Sequence, residues 1–269
     1  MKKMYPIYLL LCASSLIAFA ACNKEEDVEV NAKKKKDTSS ECQVLSMYYA
    51  YSSDSIGVTV SYNKWGSPVR VTQTLTGTGH PDGIFWYNNK KQLTDYIGAY
   101  NDNSFEFWHR YVYDNKGRVI RDTTYFFGYI VNGEPDTYYD LAVITYEYDQ
   151  EERIVHTAQA WFNDPANPLH TYYSYDGSGN LVVPGVVYDD KSSIHRTNPV
   201  WMFIDRNYSQ NNGYATTWNA DGLPTHMNLS DKGGRFAGFY YGRLSNIQYQ
   251  CDGKSGKGKG NGNGNNSPF

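Results

Sequence analysis

Catalytic signatures are missing from this sequence. There is no Gly-x-Ser-x-Gly elbow, no phosphate-binding loop, no Gly-x-Gly-x-x-Gly run after a strand and no His-Glu-x-x-His pair. The motif-based grounds for acyl transfer, nucleotide chemistry and zinc hydrolysis are therefore absent. The six histidines, at positions 80, 109, 156, 170, 195 and 226, are scattered. Only four cysteines occur, none as Cys-x-x-Cys, so neither a metal nor a cofactor is expected. Basic residues do not cluster into a face that would grip phosphates: 25 stand against 28 acidic ones, for a net charge of −3. Nucleic acid is not an expected partner. Long periodic segments of helix formers are missing as well, which excludes a helical fold.

What is present begins with an address. Lys2 and Lys3 precede a mostly apolar stretch from Ile7 to Ala21, followed by Cys22. Charge, apolar core and small residues in that order read as a secretion signal over residues 1–21. The apolar run is about 15 residues, short of the roughly 20 that span a bilayer. Ala20-Ala21-Cys22 resembles the lipobox of bacterial lipoproteins, in which the thiol is lipidated and becomes the mature first residue. Phe19 departs from the Leu usual in that motif. Cys12, behind Leu9-Leu10-Leu11, would leave too little apolar core before it. Asn23-Lys24-Glu25-Glu26-Asp27 resembles the export signal that carries Bacteroidetes lipoproteins to the outer face of the outer membrane. The resemblance implies a lipid anchor on Cys22, an outer-membrane location and display at the cell surface. The alternative for those charges is a solvated linker.

Residues 22–41, with Lys33-Lys34-Lys35-Lys36 among polar neighbours, read as a flexible tether. Residues 252–269, rich in Gly, Lys and Asn, read as a disordered tail. One domain, 42–251, lies between them. Cys42 and Cys251 stand at its two ends, and an oxidising compartment favours a disulfide joining first strand to last. The alternative is a pair of free thiols.

The body holds most of the 26 tyrosines, and they fall into a pattern. Five segments carry an aromatic, then Asp or Asn, a polar turn and an aliphatic. They centre on Tyr62-Asn63, Tyr87-Asn88, Tyr113-Asp114, Tyr148-Asp149 and Tyr175-Asp176, with a looser copy at Trp218-Asn219. Alternation of period two before each turn, as at Tyr111 and Tyr113, is strand periodicity. Asp or Asn caps its own turn, and Gly supplies the positive φ that a tight loop requires. Each segment therefore predicts a β-hairpin, and successive hairpins predict an all-β meander. The expected fold is one large twisted or partly rolled sheet. A single short helix is expected from Pro199 to about residue 206, with Asn198 as N-cap and Pro199 at the first helical position. Its expected role is a plug over the open side of the sheet.

These units resemble the YD repeats of the RHS family, most closely at Tyr113-Asp114 through Gly117-Arg118-Val119 and Tyr175-Asp176 through Gly179-Asn180-Leu181. Tyr148-Asp149 departs from the pattern, with Glu152 where Gly is usual. Five or six copies are too few for the closed shells of that family. With lipobox and acidic tether, the layout is similar to surface lipoproteins of Bacteroidetes built around a domain of unassigned function.

Asp114, Asp149, Asp176 and Asp221 do not follow the spacing of a calcium loop and are expected to serve turns. The leading functional expectation is a non-catalytic binding or scaffolding module that recognises glycan or an envelope protein. Its candidate platform is Trp65, Trp86, Trp108, Trp161, Trp201 and Trp218, since flat rings suit the C–H faces of sugars. Aromatic cross-strand pairs that serve stability alone are the competing reading. The alternative function is a polysaccharide hydrolase using a carboxylate pair, with Asp189 or Asp190 facing Glu106 or Glu147. A purely structural envelope protein is the third.

Overall fold

The computed structural model describes residues 42–51, 54–229, 234–239 and 241–251. The signal segment, Cys22, the tether and the tail lie outside the described residues. No helix among the described residues is long and apolar enough to cross a membrane.

The first strands, β1 (Cys42–Tyr51), β2 (Asp54–Tyr62), β3 (Pro68–Gln73), β4 (Asp82–Tyr87) and β5 (Leu93–Ala99), pair in sequence order. The meander continues through β6 (Ser104–Tyr113), β7 (Val119–Val131), β9 (Asp140–Tyr148), β10 (Ile154–Trp161) and the edge strand β11 (Asp164–Tyr172). A short β8 (Glu134–Asp136) folds back on β7. The chain then returns to the far side of β1 and adds β12 (Ala215–Trp218), β13 (Pro224–Asn228) and β14 (Arg243–Cys251), with β14 against β1. All fourteen strands form one antiparallel sheet, open between β11 and β12. Its first strand is internal, and Cys42 lies directly opposite Cys251, to which it is joined by a disulfide.

The hairpin turns are copies of one another. In each of six, the first residue is Asn or Asp, and its Oδ1 accepts from the backbone N–H groups two and four residues on. The acceptors are Asn63, Asn88, Asp114, Asp149, Asp176 and Asn219, all at 2.8–3.0 Å. The fourth turn residue takes a positive φ: Gly66, Gly117, Gly179 and Gly222, but also Lys91 and Glu152. In five of the hairpins a one-residue bulge follows the turn, as between Val112 and Tyr113 opposite Arg121 and Val119. The fifth segment departs from the expected hairpin. Tyr175 and Leu181 make a single bridge there. Leu181 gives its N–H to the Ser209 hydroxyl, and Pro184 has no N–H to donate. No returning strand forms, and the chain leaves the sheet.

That departing segment carries a 3-10 turn, Ile194–Thr197, and the helix α1, Pro199–Asp205. Asn198 caps α1 by accepting from Val200 N–H (3.0 Å), and its amide donates to the Gly66 carbonyl in the first repeat turn (2.8 Å). At the other end, Asp205 accepts from the N–H groups of Ala237 and Gly238, each at 2.9 Å. Pinned at both ends, α1 presses Trp201 onto Phe85 and Phe236, and Phe203 onto Tyr111 and Tyr146. Trp201 is fully buried, and the main core lies between α1 and this face of the sheet. A smaller core of Ile97, Phe105 and Trp108 lies on the back face.

Candidate functional site

Two clefts flank α1. The first, about 520 Å³, runs between α1 and the row of repeat turns. Its floor is built by the repeat tyrosines Tyr87, Tyr113 and Tyr148, whose side chains share a face because each precedes its turn by one residue. Burial pushes the Tyr113 hydroxyl up to about 12, and those of Tyr87 and Tyr148 higher. All three stay neutral and donate to backbone carbonyls.

At the mouth stands Trp65, 50% exposed, with Lys64 Nζ 5.2 Å and Lys91 Nζ 5.5 Å from its ring centroid. Lys91 and Glu152 also line this cleft. They occupy the left-handed turn positions that the other repeats give to glycine. A side chain there costs about 1–2 kcal/mol in backbone strain, so two repeats give up local stability to place a cation and a carboxylate in the groove. Around Trp65 the cleft opens into a more polar recess bounded by Gln43, Asn63, Lys64 and Arg196. An exposed indole with ammonium groups over its ring offers a sugar both apolar surface and attraction for an anionic substituent.

The second cleft, about 320 Å³, lies on the other side of Phe203. Asp122 is buried at its base, accepting from the hydroxyls of Tyr146 (3.1 Å) and Thr124 (3.1 Å). His109 Nδ1 lies 2.7 Å from Asp122 Oδ2, and its ring stacks between Tyr96 and Tyr111. Arg206 enters from the C-cap of α1 with φ 52°. Sequence reading did not bring His109 and Asp122 together, because the register that juxtaposes them is set by a bulge.

The six tryptophans do not share a face. Trp108 and Trp201 are fully buried. Trp86 packs edge-on against Trp108 at 5.2 Å on the back face, and Trp108 Nε1 donates to Asp95 (2.7 Å). Trp161 is half-buried beside Phe126. Trp65 and Trp218 are the exposed pair, and Trp218 has Lys191 Nζ 4.7 Å from its ring.

The candidate carboxylates are dispersed. Asp189 accepts from the N–H groups of Lys191 and Asn212, and Asp190 pairs with the Lys191 ammonium. Glu106 accepts from Tyr100 and from Gly79 N–H, while Glu147 is exposed beside His156. Each of the two clefts beside α1 is lined by one carboxylate, Glu152 in the first and Asp122 in the second.

The fold is thus an open sheet of antiparallel hairpins whose repeat turns line a cleft. No protein-family model matches the chain, and no curated protein matches it. Among solved structures it is similar to a TcdB2–TccC3–Cdc42 structure at 14% identity and TM-score 0.26, over 72% of this chain and 12% of that one. A TcdB2–TccC3–TEV structure matches at 16% identity and TM-score 0.28, over 72% of this chain and 10% of that one. The chain spans roughly a tenth of the length of those two proteins. A porin-like protein from Bacteroides uniformis matches at 11% identity and TM-score 0.30, over 77% of this chain and 97% of that one. Likeness at this level carries no argument about function.

Proposed function

We propose that the chain is a lipid-anchored, surface-exposed binding module of the cell envelope, and that its cleft between α1 and the repeat turns takes glycan. The lipid is attached at Cys22, and the outer membrane is its site. The observation that carries the binding reading is Trp65, half-exposed at the cleft mouth and set between Lys64 and Lys91. One of the two lysines over this exposed indole, Lys91, is held there from a strained turn position, which supports a binding role for the ring. A single carboxylate in the lining of each of these two clefts favours binding over hydrolysis, which needs two of them facing one bond.

The test is to immobilise the full-length lipidated protein in detergent and pass plant, host and bacterial polysaccharides over it. Retention without released fragments, weakened by Trp65→Ala, supports the reading. Released fragments would replace it with the hydrolase. Retention unchanged by Trp65→Ala would move the site elsewhere. No retention at all would turn the search to protein partners, for which β11, exposed along most of its length at the sheet edge, is the surface to examine.

A further inference from the structure

Arg206 is placed at a cost, and Asp122, the carboxylate of its cleft, acts on it through space without pairing with it. It sits in the left-handed C-cap position where helices usually carry glycine, with φ 52° and ψ 37°. Its guanidinium lies over the Tyr146 ring, 5.8 Å from the centroid. Among the described residues it makes no ion pair. The nearby carboxylate, Asp122, has its oxygens taken by His109, Tyr146 and Thr124. A half-buried guanidinium with no carboxylate in contact keeps N–H donors to offer an anion.

The rest of the cleft suits such an anion. Asp122 holds the His109 ring by Nδ1, which leaves Nε2 for a ligand. Phe107, Phe126 and Phe203 supply apolar wall, and about 320 Å³ accommodates one sugar-sized molecule. A guanidinium fork matches a planar carboxylate better than a point cation does.

We infer that this cleft, on the far side of Phe203 from the Trp65 groove, binds a carboxylate-bearing sugar, with Arg206 gripping the carboxylate and His109 Nε2 bonding a ring substituent. The site stands apart from the glycan reading of the first cleft and does not need it.

Calorimetry with sodium D-glucuronate on the full-length protein tests the assignment. Binding is expected for the native protein and for Trp65→Ala, with D-glucose and D-glucuronamide weaker. Arg206→Gln and Arg206→Lys should each weaken glucuronate by at least about tenfold, since a charge-assisted, two-pronged contact is lost. His109→Gln should weaken it less. Thermal unfolding of each variant separates lost binding from lost folding, and Arg206→Gly, which relieves the backbone, supplies a folded variant if the others unfold. Loss of glucuronate binding in Trp65→Ala alone would place the sugar in the other cleft and overturn this inference while leaving the proposed function standing. Equal affinity for glucuronate and glucuronamide, tighter binding of glucose 6-phosphate, or no heat with the native protein would overturn it as well.

Discussion

The hydroxyl of Tyr113 donates to the backbone carbonyl of Leu93, 2.8 Å away, and so ties the third repeat to the second. The same bond recurs from Tyr87 to Pro68, from Tyr148 to Val119, and more loosely from Tyr175 to Ile154 at 3.3 Å. In each case the acceptor is the first residue of the strand that follows the preceding turn. Tyr62 to Val44 and Tyr249 to Pro224 extend the row to β1 and β13. The arginines add a second link, with Arg118 over the Tyr148 ring and Arg153 over the Tyr175 ring. The repeat tyrosine is therefore a fastener between hairpins whose ring also floors a cleft.

Removing one fastener leaves a partly buried carbonyl without its donor. Tyr113→Phe should cost about 1–2 kcal/mol in urea unfolding. Tyr139→Phe, at a ring that is 87% exposed, should stay within about 0.5 kcal/mol of the native protein. Equal effects for the two would show that the hydroxyl bond adds nothing.

The turns impose a dependence on acid. The Asp114 carboxyl is held below its usual range, chiefly by the backbone N–H of Arg118. Burial works in the opposite direction at Asp149, but the Arg153 backbone and guanidinium outweigh it and its carboxyl is also held low. A carboxyl depressed in the folded state contributes stability above its unfolded value of about 4, and that stability fades as pH falls through the lower folded value. Midpoints of urea unfolding should therefore be level down to about pH 4 and drop below it. Asp149→Asn keeps the turn acceptor, as Asn63, Asn88 and Asn219 do natively, and should flatten part of that drop. Asp149→Ala should lose stability at every pH, by about 1–2 kcal/mol.

Local chemistry explains which parts of this architecture were legible in the sequence. Asx turns, strand alternation and the Asn198-Pro199 helix start are short-range signals, and the residues that form them are adjacent in the chain. The faces were harder to read. Reading back from the turn by simple pairing sets Tyr111 opposite Arg121 and sends Asp122 to the back of the sheet. The bulge beside Tyr113 moves the register by one, so that Tyr111 faces Asp122. That single residue brings Asp122 under His109. The tryptophans were illegible for the same reason, since Trp65 lies in a turn while Trp86 and Trp108 alternate onto the back-face core.

The disulfide closes the sheet's central joint. Cys42 and Cys251 are 209 positions apart in the chain and face one another across β1 and β14. Loop-closure entropy for so long a span predicts that the double change Cys42→Ser, Cys251→Ser costs about 2–5 kcal/mol. The loss should appear first as faster hydrogen exchange in β12 to β14, which join the meander through β1 alone. Uniform loss across all strands would mean that the sheet unfolds as one unit.

Lys91 sets stability against binding most directly. At φ 63° it holds a conformation that glycine adopts without strain, and four sister turns have glycine there. Lys91→Gly should therefore raise stability by a few tenths up to about 1 kcal/mol, the relief of strain being offset by added freedom in the unfolded chain. The same change removes one of the two ammonium groups beside Trp65. Retention of an acidic polysaccharide should fall and lose part of its salt dependence, while a neutral one should be held nearly as before. Glu152→Gly is the matched control, because it relieves the same strain and removes a negative charge instead. It should gain similar stability and hold the acidic polymer as well or better. A variant pair that moves together in retention would remove Lys91 from the binding surface and leave Trp65 to act alone.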